Sequence, residues 1–256
     1  MEGMAVTAHS VADPPNAPNA PNAPNAPNAS HTARARARAE LTHEIKAVAR
    51  RQLAESGAAS MSLRSVAREL GMVSSAVYRY FPSRDDLLTA LIVDAYDAVG
   101  TAGEEALAAS HGSMATRWLR LAEAIRGWAK ANPHEYALIY GSPVPGYRAP
   151  QDTIAPAARV SLLLMGLLID GVESGEIDTT EEATPRPVHV DLTQLRALAA
   201  PGVPDAVLSR GLAAWAQLFG LVSLELFGHL HNVVHDYDAM FRHQMRRAGQ
   251  FLVSDG

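Results

Sequence analysis

At 256 residues and 48% hydrophobic, the chain is long enough to bury a sizeable core in one or two domains. It has no cysteine, which excludes disulfides and thiolate metal sites and suits a reducing compartment. The net charge of -5 argues against a nucleic-acid partner, but the charge is uneven: residues 31–90 hold ten Lys/Arg against six Asp/Glu, and residues 91–256 hold twelve against nineteen. A basic front part joined to an acidic rear part fits a DNA reader with a separate regulatory body.

The opening Met-Glu-Gly-Met-Ala-Val lacks the basic and long apolar regions of a signal peptide. The longest apolar run, Val160 to Ile169, is short of the ~20 residues a membrane span needs. A cytoplasmic protein with no membrane partner is expected. Residues 14–29 repeat Pro-Asn-Ala with a period of three. Proline blocks helix and strand ladders alike, so residues 1–32 read as a disordered tail; collagen is excluded because the repeat has no glycine. Arg34, Arg36 and Arg38 alternate with alanine. They read either as a basic arm on phosphates or the minor groove, or as a frayed, solvated lead-in.

Leu41, Ile45, Val48, Ala49 and Leu53 predict an amphipathic helix of about four turns, ending near Gly57. Ser62 is an expected N-cap for the next helix. Leu63, Val66, Ala67 and Leu70 then fall at i, i+3, i+4 and i+7, with Arg64, Arg68 and Glu69 on the other face. Gly71 can take the left-handed conformation that ends a helix and turns the chain. A second short helix fits Val73 to Phe81, with Val73, Val77 and Phe81 inward and Ser74, Ser75 and Tyr78 outward, Arg79 on their flank. Two short helices joined by a glycine-containing turn describe a helix-turn-helix. Small polar residues near the start of the second helix suit entry into a major groove. Ser83 followed by Asp86 predicts a near-capping box for a helix that carries Leu87, Leu88, Leu91, Ile92 and Ala95 inward and runs to about Ala109, with Gly100 and Gly103 as points of bending.

The rear part reads as helices throughout. One spans about Met114 to Ala131, burying Trp118, Leu121, Ile125 and Trp128. Pro133 opens a short one with Tyr136, Leu138, Ile139 and Tyr140. A loop covers Gly141 to Ala149, and a long apolar helix runs from about Gln151 to Ser174. Residues 175–203 read as a long, partly mobile loop. A helix opens at Pro204 and Asp205 and runs to about Leu230, and a last one spans about Tyr237 to Leu252. No stretch alternates with strand period for long, so the fold class is all-α.

Leu63 to Leu70, Gly71, the run Val77-Tyr78-Arg79-Tyr80-Phe81-Pro82-Ser83-Arg84 and the following Asp85-Asp86-Leu87-Leu88 strongly resemble the tetracycline-repressor (TetR) family of bacterial transcription regulators. The likeness covers about residues 40–90. It implies a dimer of about nine helices per chain. A three-helix DNA head over residues 33–100 would precede a ligand-binding and dimerisation body over residues 101–256, with the last two long helices making the dimer. It also implies phosphate contacts from Tyr78 and Tyr80, a backbone grip from Arg84, and base contacts from Ser74, Ser75 and Arg79. Val73 departs from the Ser or Thr that usually caps the recognition helix. The segment Trp215-Ala-Gln-Leu-Phe-Gly-Leu-Val-Ser-Leu-Glu-Leu-Phe-Gly resembles the WHG-type C-terminal domain of some TetR proteins, with Phe219 at the position of the eponymous histidine.

The function this implies is a ligand-responsive repressor that binds a palindromic double-stranded operator as a homodimer. No hydrolase elbow, phosphate loop or dinucleotide fingerprint is present, so no enzyme and no cofactor are expected. The alternative is a metal-responsive sensor using His229, His231, His235, Asp236, Asp238 and His243, with His231 and His235 a ligand pair if helical. Trp118, Trp128, Tyr136, Tyr140, Met165, Trp215 and Phe219 are candidates for an effector pocket, although each singly reads as ordinary core.

Overall fold

A computed structural model describes residues 29–180 and 185–254. The expected tail at 1–32 therefore lies outside the described residues except for 29–32, which already belong to a helix. Among the described residues there are helices and loops but no strand.

Contacts divide the chain between Leu41 and Thr42. In the first unit, the described residues form the opening of α1 (Ala29–Ser60). Arg34, Arg36 and Arg38 are exposed and helical rather than extended. At i and i+4, Arg34 and Arg38 share a face, and Arg36 points elsewhere.

In the second unit, α1 buries Ile45, Val48, Ala49 and Leu53, and is interrupted at Gly57, whose φ of 75° and ψ of 165° are non-helical. α2 (Leu63–Glu69) starts where Ser62 Oγ accepts the Ser65 amide at 3.1 Å. Gly71, at φ 66°, turns the chain as its position predicts. α3 (Ser74–Val77) is a single turn; Phe81 N donates to Val77 O at 3.1 Å, so helical bonding continues past its end. Val73 supplies no side-chain cap bond. α4 (Arg84–Ala108) begins at the expected capping box: Ser83 Oγ accepts the Asp86 amide at 3.1 Å and donates to Asp86 Oδ2 at 2.7 Å.

α5 (Met114–Ala131), α6 (Pro133–Tyr140), α7 (Ile154–Glu173), α9 (Asp205–Leu226) and α10 (Tyr237–Val253) lie where periodicity predicts. α9 stops four residues before the expected Leu230, and the chain goes on in turns. α8 (Arg186–Ala199) corrects the reading of 175–203 as loop. Pro187 sits in its first turn, where the missing amide costs nothing, and Leu192 is buried with Leu195 half-buried one turn on.

α4 packs on α5 and α7, α5 on α10, and α10 on α9. Their shared core holds Trp118, Leu121, Ile125, Leu164, Leu168, Val207, Leu218, Val222, Met245 and Leu252. Burial of each such aliphatic side chain is worth about 1.5–3 kcal/mol. Trp118 Nε1 donates to Met245 O at 3.0 Å and pins α5 to α10. α7 and α9 are long and apolar enough to cross a membrane by length and composition alone, but here each turns a buried face into this core. α4 runs as one helix through Gly100 and Gly103. A Cβ on Gly100 would lie 2.8 Å from Arg159 Nε, and one on Gly103 2.7 Å from Leu163 Cδ1, so these glycines admit α7 rather than bend α4.

Candidate nucleic-acid interface and rear cavities

The recognition surface is held from behind by polar bonds. Glu69, at the end of α2, accepts Arg51 Nη2 at 2.9 Å and Gln52 Nε2 at 2.7 Å, which locks α2 to α1. The Gln52 and Arg51 bonds hold its carboxyl below the ordinary value of 4.5. Ser65 Oγ adds a bond to Gln52 Oε1 at 2.7 Å. Arg84 Nη2 donates to Ala58 O at 2.8 Å and Nε to Met61 O at 3.2 Å, which ties the start of α4 to the turn before α2. Val77 and Phe81 anchor the recognition turn in the core.

On the outer side, Ser75, Tyr78 and Arg79 are exposed, Tyr78 at 43%, whereas Ser74 and Tyr80 are half-buried. Val73, expected to face inward, is exposed, because the helix proper starts only at Ser74. Arg64 and Arg68 are exposed on α2. Lys46, Arg50, Arg51 and Arg84 spend their charge inside the molecule. Lys46 and Arg50 meet Asp94 of α4, and Arg50 Nε also meets Glu135 of α6 at 2.8 Å. This clamp was not visible in the sequence, because its pairs lie 44 (Arg50–Asp94), 48 (Lys46–Asp94) and 85 (Arg50–Glu135) residues apart and no local period connects them.

Of the seven expected pocket residues, four come together. Tyr136 and Tyr140 have ring centroids 5.2 Å apart, Tyr140 and Phe219 4.4 Å, and Trp215 and Phe219 4.5 Å. Tyr136 is fully buried, its hydroxyl 2.8 Å from Ser223 Oγ and 3.2 Å from Phe219 O. Trp118, Trp128 and Met165 are buried core side chains. None of the seven lines the three cavities described next.

A cleft of about 500 Å³ between α5 and α10 is lined by Arg126, Lys130, Arg242, Glu123 and Asp238. Its charges are matched within the protein: Arg126, only 8% exposed, pairs with Glu225 at 2.7 Å and Asp238 at 2.7 Å. A second cavity, about 330 Å³, lies between the end of α1, α6 and the 141–149 loop. A third, about 460 Å³, lies between α4, α6, the same loop and α7. Leu138, Pro143 and Val144 line both of the latter two.

The histidine cluster does not assemble. Among the described residues no three His, Asp or Glu side chains are placed to hold a metal ion. His231 and His235 fall outside the helices, so the i, i+4 ligand pair is not formed. Asp236 caps α10 by accepting the Ala239 amide at 2.8 Å, and Asp238 is taken by Arg126.

Residues 45–91 match the model for bacterial regulatory proteins of the tetR family, and residues 118–248 match that for a tetracyclin-repressor-like C-terminal domain. The HTH-type transcriptional regulator Mb1846 of Mycobacterium bovis is 44% identical over 198 residues, which cover 75% of this chain and 83% of the relative. The chain belongs to the TetR family of transcription regulators.

Among solved structures, the regulatory protein SCO4313 is 35% identical with a TM-score of 0.70, over 83% of this chain and 97% of that one. A protein of unknown function from Rhodococcus sp. RHA1 has the same fold at 22% identity and a TM-score of 0.65, over 84% and 96% of the two chains. The chain is thus a DNA-binding TetR regulator rather than an enzyme. The family match over the head contains Ser74, Ser75, Tyr78, Arg79, Tyr80 and Arg84, and it begins after Arg34, Arg36 and Arg38.

Proposed function

We propose that this TetR regulator is a cytoplasmic, ligand-responsive repressor that binds a palindromic operator as a homodimer. In this reading residues 33–100 act as the DNA head and 101–256 as the effector and dimerisation body. The observation that carries it is the exposed surface of Ser75, Tyr78 and Arg79, fixed from behind by Glu69, Arg84 and the buried Val77. Arg79 donates two bonds to a guanine, while Tyr78 and Tyr80 contact phosphates and Ser74 and Ser75 face base edges. Arg84 is half-buried and engaged with backbone carbonyls, so its main part is to set the angle at which α4 meets the recognition turn. The exposed Arg34, Arg36 and Arg38 add electrostatic attraction to the backbone.

Dimerisation through α9 and α10 is supported by what these helices leave uncovered. Leu212 (55% exposed), Ala213, Ala216, Gly220, Leu224 and Phe227 form an exposed stripe along α9 at helical spacing. Small residues at its centre allow two helices to approach closely, and a two-fold site needs a two-fold protein. Met240 and Phe251 extend an apolar face on α10.

Sequencing the DNA fragments that the protein retains from its own genome tests the reading. The expected result is a palindrome with half-sites ~34–36 Å apart. Retention of fragments that share no such symmetry would overturn it. Gly220→Arg should yield a monomer in size-exclusion chromatography with light scattering.

A further inference from the structure

We propose that Val73 is a specificity-determining residue, whose isopropyl group packs against the 5-methyl group of a thymine in each half-site of the operator. The inference rests on the DNA-binding reading above; it names one base that the surface selects and the side chain that selects it.

Val73 stands two residues past Gly71 and directly before α3. Its side chain is 71% exposed, whereas Leu63, Val66 and Val77 of the two motif helices are buried. Two unfavourable effects meet at this one residue. An isopropyl group is left in water. The cap bond that Ser, Thr, Asp or Asn makes before a helix is also lost, since Val73 supplies no side-chain bond there. The chain's own packing offsets neither, but an apolar feature on a docked partner offsets the first.

The group is also held ready for contact. Met72 N donates to Ala67 O at 2.8 Å, and Ala76 N donates to Val73 O at 2.9 Å, so the backbone is fixed on both sides of the side chain. Val73 itself is extended, at φ -69° and ψ 138°, and a β-branched side chain has few rotamers. Little freedom is lost when such a group is covered. Around it the exposed side chains of the recognition surface are polar: Ser75, Tyr78 and Arg79.

The chemistry of the major groove names the occupant. Helix-turn-helix proteins meet base edges with the leading residues of the recognition element. The groove presents hydrogen-bond donors and acceptors, which a valine cannot serve, and one apolar group, the methyl of thymine. Phosphates are charged and hydrated, so an isopropyl group gains nothing against them.

Gel shifts of the full chain on a retained genomic fragment test the proposal. Thymines related by the palindrome are replaced, one symmetric pair at a time, by deoxyuridine, which removes the methyl and leaves base pairing unchanged. One pair should weaken wild-type binding by about fourfold per half-site, or about fifteenfold for both. Val73→Ser and Val73→Ala should lose most of that sensitivity. The first restores a cap and the second does not, so loss in both assigns the effect to the missing methyl groups. The position is exposed, and both variants are expected to fold. A fragment on which no uracil pair weakens binding, or a uracil effect that persists in full in either variant, overturns the role of Val73 and leaves DNA recognition intact. Failure to retain any genomic fragment overturns the DNA-binding reading and the role of Val73 together.

Discussion

The helices up to Phe81 and those from Met114 onward combine apolar packing and polar bonds in different proportions. In the front group α2 and α3 are short, and α3 is one turn without a side-chain cap. The group's small apolar core of Ile45, Val48, Leu53, Val66, Val77 and Phe81 is supplemented by polar bonds between distant residues: Glu69 to Arg51 and Gln52, Arg84 to two carbonyls, Asp94 to Lys46 and Arg50. The rear group is long-helical and closes over a continuous apolar core. Apolar packing is insensitive to salt and costs much to disturb, whereas half-exposed ion pairs are weak and screened. The proposed reading surface thus sits where part of the geometry is held by salt-sensitive bonds.

The largest effect that would test this contrast is in the rear. Leu168 is fully buried. Leu168→Ala should cost about 2–5 kcal/mol by chemical denaturation, with little change between low and high salt. In the front, Asp94→Asn breaks the Lys46 and Arg50 contacts and should cost about 1 kcal/mol at low salt and less at high salt. A salt-independent loss of several kcal/mol would erase the distinction. Val73→Ser restores a cap to α3 and should stabilise the head by about 1 kcal/mol.

The two groups also part at the extremes of pH. Burial raises Tyr136 and Tyr140, in the rear, above the ordinary 10.0. Their contribution is complete below pH 10 and is lost as pH rises toward the folded-state values, so alkaline melts should show a loss that Tyr140→Phe reduces. Glu69, in the front, is lowered. Its contribution is present above the ordinary 4.5 and lost as pH falls below it; Glu69→Gln should flatten this small acid limb.

What the sequence discloses follows the range of the interaction. The helix-turn-helix was legible because Leu63, Val66, Ala67 and Leu70 repeat locally and Gly71 marks the turn. The capping box at Ser83 was legible for the same reason. α8 was hidden because Pro185 and Pro187 read as breakers although proline also opens helices. Gly100 and Gly103 looked like hinges, since only the arrival of Arg159 and Leu163 from another helix explains them. Arg84 looked outward because its carbonyl partners, at Ala58 and Met61, carry no sequence signal. At the candidate site, Tyr78 and Arg79 could be placed on the surface from period alone. The cavity beside Tyr96 and Tyr147 could not, because it is made by a loop folding back on α4.

Arg159 reaches across from α7 to Asp97, Thr101 and Glu104 in turn, gripping α4 over two of its turns. That grip makes α4, about 37 Å long at 1.5 Å per residue, a lever with its fulcrum in the rear half. Ile92 and Tyr96 lie on the long arm. A tilt of about 3° there would carry the Ser83 end by about 1 Å, a small travel for a helix yet comparable to the tolerance of a base contact.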